Sequence, residues 1–308
     1  GLGEVTKDRV QVWAMVPKAT ADHHQPFNVN IYGHGYTGAF LEEILYAGQM
    51  AEHGLATVGI NAMGHQLVLE EAQDTIARTL LAQACIGPFY KGLTSGRARD
   101  LNRDGVLDSG GDFWSSYVFH TRDGVRQSIL DHLQLVRIMR SFGTNEGSAL
   151  CRTAETGWDE PATADCDANA DGTVDTYGDF DGDGVVDFGG PGSQYATWGE
   201  SLGGILSGIH GSIDPYVTAA APGSGGGGLT DIGIRSFQGG VIEAVLLRIW
   251  GPLVVAVPSA ERDACSAEVK EGCTSCAADQ ISLRWVMPDV NGTGEMEIAC
   301  VTADQIDA

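Results

Sequence analysis

Apolar and polar positions in the first sixty residues follow the pattern of a strand, a helix and a strand. Residues 10–16 alternate apolar and polar side chains over their first half, which predicts a strand near the edge of a sheet. Residues 27–32 predict a second strand and residues 55–60 a buried third one. Residues 40–53 predict a helix that stops at Gly54. This order is a βαβ unit, so the sheet is at least partly parallel.

Two predicted helices each carry an apolar stripe. In the helix at residues 40–53, the stripe consists of Leu41, Ile44 and Leu45. A longer helix is expected to be capped by Thr121 and closed by Gly143. Its stripe consists of Val125, Ile129, Leu133 and Val136. Stripes of this spacing are typical of helices that bury one face.

The alternation of elements continues in the second half of the chain. Residues 194–198 predict a strand, residues 202–209 a helix and residues 216–221 a further strand. The order predicts a doubly wound, mostly parallel α/β sheet within residues 1–229. Two loop insertions interrupt it, at about residues 85–115 and 144–192.

Residues 230–308 predict a separate, cysteine-rich part that is either lid-like or a C-terminal continuation of the core. The apolar stretch at residues 241–257, helical in pattern up to residue 250, fits a lid or acyl-chain contact and a buried core helix equally well. Residues 281–286 and 295–301 predict a hairpin that turns near Asn291 and Gly292.

Charge and composition exclude some classes of partner. The formal net charge is −23, from 18 basic and 41 acidic residues, so the clustered cations that bind nucleic acid are lacking. The same charge disfavours adhesion to anionic lipid. The stretch at residues 241–257 is interrupted by Glu243, Arg248 and Pro252 and is too short to span a bilayer. We therefore expect neither a nucleic-acid partner nor a transmembrane segment.

Seven cysteines suggest disulfides formed in an oxidising compartment. They are Cys85, Cys151, Cys166, Cys265, Cys273, Cys276 and Cys300. The odd count leaves at least one thiol unpaired or bonded to another chain. Residues 273–276 have CxxC spacing, but no second CxxC accompanies them, which favours structural disulfides over a zinc or redox site. The chain opens on Gly1 without Met, as a mature or trimmed product would.

A candidate nucleophile lies between the predicted strand at 194–198 and the helix that follows it. Residues 199–203 read Gly-Glu-Ser-Leu-Gly, with glycine on both sides of Ser201. A sharp strand-to-helix turn of this kind raises its central side chain out of the sheet, and the flanking glycines let the backbone make the turn. Ester cleavage also needs N–H donors for the oxyanion. We assign them to Leu202, which follows the serine, and to Tyr36 in the glycine-rich loop 34–38.

Four segments together resemble one protein family. They are HGYTG at 34–38, NAMGH at 61–65, TRDGVRQSILDHL at 121–133 and GESLGG at 199–204. These look like bacterial extracellular lipases of the virulence-factor type, over residues 27 to about 222. The resemblance implies an α/β-hydrolase fold, lipid or other carboxylic-ester substrates, Ser201 as nucleophile, and Tyr36 and Leu202 as oxyanion donors. His65 falls where many such enzymes keep a structural loop histidine, and His34 is expected to orient or pack the loop.

The general base is not evident from the sequence. On this fold the order is serine, acid, histidine, but the one histidine after Ser201 is His210, nine residues further along the same helix. It would lie on the opposite face and roughly 13 Å along the axis. Acidic candidates are Asp231, Asp263 and Asp289. Three explanations fit: the remainder of a longer chain supplies the His and Asp, an upstream histidine is recruited, or the protein is catalytically inactive. The sheet also ends one or two strands short of the usual number.

Three acidic loops in the insertions share one nine-residue spacing that suits calcium. The first has Asp100, Asn102, Asp104, Val106 and Asp108; the second Asp167, Asn169, Asp171, Thr173 and Asp175; the third Asp179, Asp181, Asp183, Val185 and Asp187. Oxygen ligands at positions 1, 3, 5 and 9, a glycine at 6 and a carbonyl at 7 are what Ca²⁺ requires. Asp112 is expected to complete the first site. The loops resemble thrombospondin type 3 or dockerin-like repeats.

These observations together predict a secreted serine esterase or lipase. Calcium loops of this type imply millimolar Ca²⁺, hence an extracellular, periplasmic or cell-surface location in bacteria. The alternative is a catalytically inactive, calcium-stabilised surface binding module on a hydrolase-like scaffold.

Overall fold

A computed structural model describes most of residues 10–229 and three later strands. The described ranges are 10–84, 87–101, 103–114, 118–144, 176–229 and 232, with the backbone of 253–257, 281–286 and 298–301. The chain divides into two units, one of residues 1–113 and 120–227 and one of residues 114–119 and 228–308.

Five strands form the sheet of the first unit. They are β1 (Val12–Met15), β2 (Asn28–Gly33), β3 (Leu55–Ile60), β4 (Tyr195–Glu200) and β5 (Val217–Gly223). Their order is β1-β3-β2-β4-β5, with β1 antiparallel at the edge and the other four parallel. The α/β class, the parallel βαβ unit and the edge position of β1 are therefore confirmed.

Helices lie between these strands in the chain. After a 3-10 turn at Phe40–Glu43 they are α1 (Ile44–Glu52), α2 (Glu71–Gln83), α3 (Gly87–Thr94), α4 (Val118–Arg140) and α5 (Leu202–Ile213). Helices α2 and α3 are not evident from the pattern of the sequence. No residue of α2 is buried, so its apolar positions form no buried stripe. Within the described ranges, none of the helices combines the length and the apolar character needed to cross a lipid bilayer.

The predicted apolar face of the first helix is wrong. Leu45 is 76% exposed and Ile44 49% exposed, whereas Phe40, Glu43 and Ala47 are buried. The first turn is a 3-10 turn with three residues per turn, so the buried positions are spaced by three and then by four. The predicted stop is confirmed, because Gly54 follows the helix with φ +68°.

Helix α4 contributes three residues to the hydrophobic core of the sheet. Leu135, Val136 and Met139 pack against Val29 and Val58 of the central strands. The rest of the predicted stripe agrees except for Leu133, which is only half-buried. Thr121 is not the cap: the helix begins at Val118, and the Thr121 hydroxyl donates to the carbonyl oxygen of Phe113.

Three antiparallel strands are described in the second unit. They are β6 (Leu253–Val257), β7 (Ile281–Val286) and β8 (Ile298–Val301), in that order. The pairing of β7 with β8 confirms the strands of the predicted hairpin; its turn lies outside the described residues. Residues 253–257 are a strand and not helix, because their β-branched valines favour extended backbone. All cysteine side chains lie outside the described residues.

Candidate functional site

Ser201 occupies the turn between β4 and α5. Its backbone has φ 58° and ψ −114°, a region that non-glycine residues rarely adopt, and the residue is exposed. The Ser201 N–H donates to the carbonyl of Gly223, 3.0 Å away, and its carbonyl accepts from the N–H of Ile205 at 3.1 Å. These bonds hold the strained turn at both ends. Ser201 Oγ has no hydrogen-bond partner among the described residues.

Three glycines bring this turn against the end of β2. A Cβ atom on Gly203 would lie 1.8 Å from the carbonyl oxygen of Gly33, and one on Gly199 would lie 2.4 Å from the same oxygen. No side chain fits at either position. Because Gly33 directly precedes the loop 34–38, this contact sets that loop beside Ser201.

The loop 34–38 is a tight turn held by side chains on both sides. The N–H of Gly38 donates to the carbonyl of Gly35 at 3.0 Å, and Thr37 has φ +64°. The N–H of Gly35 donates to Glu42 Oε2 at 2.9 Å. Two amides of the loop, those of Gly35 and Gly38, are thus engaged. The other assigned donor, Leu202, opens α5, where N–H groups have no partner within the helix.

His34 and His65 are buried and hold the loops after β2 and β3. His34 Nδ1 donates to the carbonyl of Gly35 at 2.8 Å, and its Nε2 accepts from the N–H of Ala62 at 2.9 Å. His65 Nδ1 donates to the carbonyl of Met63, and its ring lies 5.8 Å from that of Tyr36. Burial lowers the pKa of both histidines to about 4, so both are neutral near pH 7. The expected packing and loop roles suit this arrangement.

His210 is enclosed between α5 and α4. Its Nε2 lies 3.2 Å from Asp214 Oδ2, and its ring lies 5.3 Å from that of His132 on α4. Both side chains of the pair His210 and Asp214 are fully buried. Burial lowers the pKa of His210. These contacts are those of a core histidine and leave the hydroxyl of Ser201 without a base from α5.

A second pair of histidine and carboxylate, formed by His120 and Asp112, is not evident from the sequence. His120 Nε2 lies 3.4 Å from Asp112 Oδ2, and about a third of the His120 side chain is exposed. Asp112 also lies near Arg99 and close to Tyr36, whose pKa is raised by burial and by the Asp112 charge. The loop after α3 brings the two residues together, which no periodicity in the sequence reports. Asp112, expected as a calcium ligand, is beside two basic side chains here.

The third acidic loop is folded around its own carboxylates. Asp179 Oδ1 accepts from the N–H of Gly182 and its Oδ2 from that of Gly184, while Asp183 Oδ1 accepts from the N–H of Val185. Among the described residues, Asp179, Asp181 and Asp187 form the one group of acidic or metal-ligating side chains with an oxygen each within 4.8 Å of the others. All are hard oxygen donors, so the set fits Ca²⁺.

The first acidic loop repeats these backbone contacts. Asp100 Oδ1 accepts from the N–H of Arg103 and its Oδ2 from that of Gly105, and Asp104 Oδ1 accepts from the N–H of Val106. Asp108 Oδ2 accepts from the N–H of Leu101. The described carboxylates of the first loop lie farther from one another than those of the third loop. Asn102 and the whole second loop lie outside the described residues.

The third loop is joined directly to β2. Asp187 Oδ1 accepts from Gln25 Nε2 at 2.8 Å, and the N–H of Phe27 donates to the carbonyl of Asp187 at 3.0 Å. Phe27 also pairs with Phe188 as an isolated bridge. Order in the loop is therefore coupled to the strand that ends at the loop 34–38.

No family model matches the chain, and no curated protein matches it either. The interpretation of the site therefore depends on its geometry.

Proposed function

We propose that this chain is a serine esterase or lipase that hydrolyses carboxylic, in particular lipid, esters through an acyl-enzyme on Ser201. The observation that carries the proposal is the exposed, strained Ser201 turn, packed through Gly33, Gly199 and Gly203 against the loop after β2. A serine raised in this way at the end of a parallel strand is the arrangement of α/β hydrolases. The sheet order and the strand-to-helix position of the turn support that fold.

In the proposed reaction, Ser201 Oγ attacks the ester carbonyl carbon and the carbonyl oxygen becomes an oxyanion. The N–H groups of Leu202 and Tyr36 stabilise that charge, and expulsion of the alcohol leaves an acyl-serine ester. Water then attacks the acyl carbon and releases the acid and free Ser201. A base must accept the Ser201 proton and return it to the leaving alcohol in the first step, and must accept the water proton and return it to Ser201 Oγ in the second.

The three explanations for the base make different predictions. The candidate for a recruited upstream histidine is His120, because its side chain is about one-third exposed and lies beside the carboxylate of Asp112; His120→Ala would then abolish reaction. If residues past Ala308 supply the His and Asp, reaction requires the longer chain and tolerates His120→Ala. If the protein is the inactive binding module, neither form reacts.

Covalent labelling tests the proposal directly. We expect a fluorophosphonate to label the wild type and not Ser201→Ala, and p-nitrophenyl esters to be hydrolysed with the same dependence. Ser212→Ala is the matched control, because Ser212 lies on α5 and its hydroxyl donates to the carbonyl of Gly208 within the same helix. Absence of labelling in every form of the chain would favour the binding module.

We also propose that the acidic loops bind structural Ca²⁺. In the third loop the ligands would be Asp179, Asp181, Asp183 and Asp187 with the carbonyl of Val185. The first and second loops would use the corresponding residues. Calcium would compensate the mutual repulsion of these carboxylates and stiffen insertions that have few apolar residues. A need for millimolar Ca²⁺ supports a location outside the cytoplasm.

A further inference from the structure

The peptide between Gly35 and Tyr36 is held by one side chain and one main-chain amide, and a second side chain holds the peptide before it. The Gly35 carbonyl oxygen accepts from His34 Nδ1 at 2.8 Å and from the N–H of Gly38 at 3.0 Å. In a trans peptide the N–H points opposite to the carbonyl, so these bonds also fix the direction of the Tyr36 N–H. On the other side of Gly35, its own N–H donates to Glu42 Oε2 at 2.9 Å.

Glu42 also contacts β2 and the far end of the turn. Its Oε2 accepts from the hydroxyl of Tyr32 at 3.2 Å, and burial together with the Glu42 charge raises the pKa of Tyr32. A Cβ atom on Gly38 would lie 1.8 Å from Glu42 Oε1, so the turn closes over the carboxylate only because residue 38 is glycine. One carboxylate therefore connects the strand, the first amide of the turn and its last residue.

From these contacts we infer that Glu42 is a positioning residue for the reaction. It holds Gly35 so that the Tyr36 N–H keeps the orientation in which it can meet the oxyanion. The loop needs such an anchor because Thr37 is in the left-handed region, where a non-glycine residue is strained. The inference rests on the proposed function, and it concerns a hydrogen bond and not the negative charge of Glu42.

The test compares Glu42→Ala with Glu42→Gln in the whole chain. Glutamine keeps an acceptor oxygen for the Gly35 N–H and loses the charge; alanine loses both. We expect Glu42→Ala to lower kcat about 10-fold or more with KM within about 2-fold, because loss of a whole oxyanion donor costs about 10²–10³ in kcat. Glu42→Gln should recover most of that loss. Glu52→Ala, the same change on the exposed end of α1, is the control and should leave kcat unchanged.

Hydrogen exchange of the Gly35 amide supplies a readout that does not need activity. We expect its exchange to accelerate at least about 10-fold in Glu42→Ala and to stay near the wild-type rate in Glu42→Gln. Wild-type exchange in Glu42→Ala, or equal kcat losses in the two Glu42 variants, would overturn the inference. A rise in KM with unchanged kcat would also overturn it. If the wild type neither hydrolyses esters nor labels, the proposed function fails, and the exchange result alone decides whether Glu42 anchors the loop.

Discussion

The main chains of Gly33 and Gly203 touch, so that a Cβ atom on Gly203 would lie 1.8 Å from the oxygen and 2.3 Å from the carbonyl carbon of Gly33. Both clashing atoms belong to the backbone of a central strand and cannot turn aside. The contact joins the helix after Ser201 to the strand before the loop 34–38. The geometry of the candidate site therefore depends on two glycines whose side chains take no part in the proposed reaction.

Gly203→Ala is expected to destabilise the protein by about 3 kcal/mol, because α5 must move away from β2 to admit a methyl group. Urea denaturation measures the change. Gly208→Ala is the matched control on the same helix: its nearest neighbour is Pro222 Cβ at 3.6 Å, an ordinary contact. That variant should gain about 0.5–1 kcal/mol from the better helix propensity of alanine. Equal stability of the two variants would contradict the close packing.

The strained backbone of Ser201 predicts that activity and stability oppose each other at this residue. Ser201→Gly should be more stable than Ser201→Ala by about 1 kcal/mol, since only glycine adopts φ 58° and ψ −114° without strain. Both variants should fail to label with a fluorophosphonate. Thermal unfolding of the two variants measures this difference. An alanine variant as stable as the glycine variant would mean that the backbone at residue 201 is not strained.

Local patterns in the sequence predict the parts of this fold that repeat at a fixed spacing. Strands β2 to β4, helix α5 and the strand-to-helix turn at Ser201 all follow from such patterns. Contacts between individual polar groups produce no periodic pattern in the sequence. The hydrogen bond from the Gly35 N–H to Glu42 and the pairing of His120 with Asp112 are therefore visible only in the structure. The exposed Leu45 shows the same limit, because one 3-10 turn changes which face is buried.

Calcium is expected to stabilise the protein by about 2.7 kcal/mol per site at a concentration about 100 times Kd. The rise in Tm on adding Ca²⁺, and its loss with a chelator, measure this effect. Asp181→Ala should remove the part due to the third loop, because Asp181 is exposed and is one of its three closely gathered carboxylates. The exposed Asp22→Ala should retain the full response. A Tm that does not change on adding Ca²⁺ would contradict the proposal that the acidic loops bind calcium.

The buried carboxyl of Glu43 predicts a loss of stability as the pH rises. It is fully buried over Gly59 without a hydrogen-bond partner among the residues that the structure describes, and burial raises its pKa from 4.5 to about 9. Between these values the folded protein keeps a proton that the unfolded chain releases, so each pH unit costs up to about 1.4 kcal/mol. Glu43→Gln should be more stable than the wild type at pH 8 and should flatten this slope, whereas Glu52→Gln should not. An unchanged slope in Glu43→Gln would mean that Glu43 is ionised in the fold.

Buried histidines predict a loss of stability at acid pH. Burial lowers the pKa of His34 and His65 to about 4 and, with the neighbouring His210, that of His132 to about 3. These groups are neutral in the fold but take up protons in the unfolded chain below its pKa of 6.5, so stability falls as the pH drops from 6.5 toward 3. His132 faces His210, His34 and Arg97, and no carboxylate in that set would compensate its charge.

His132→Gln should therefore reduce the acid slope by up to about 1.4 kcal/mol per pH unit, and the exposed His53→Gln should leave it unchanged. Urea unfolding at a series of pH values from 4 to 9 measures both this slope and that of Glu43. Since several histidines titrate against one glutamate, the acid side should be the steeper one, and the maximum of stability should lie near pH 6.5. A maximum well above pH 8 would contradict the Glu43 assignment, because the proton held by Glu43 makes stability fall with rising pH there, whereas the histidines are neutral in both states and no longer change it.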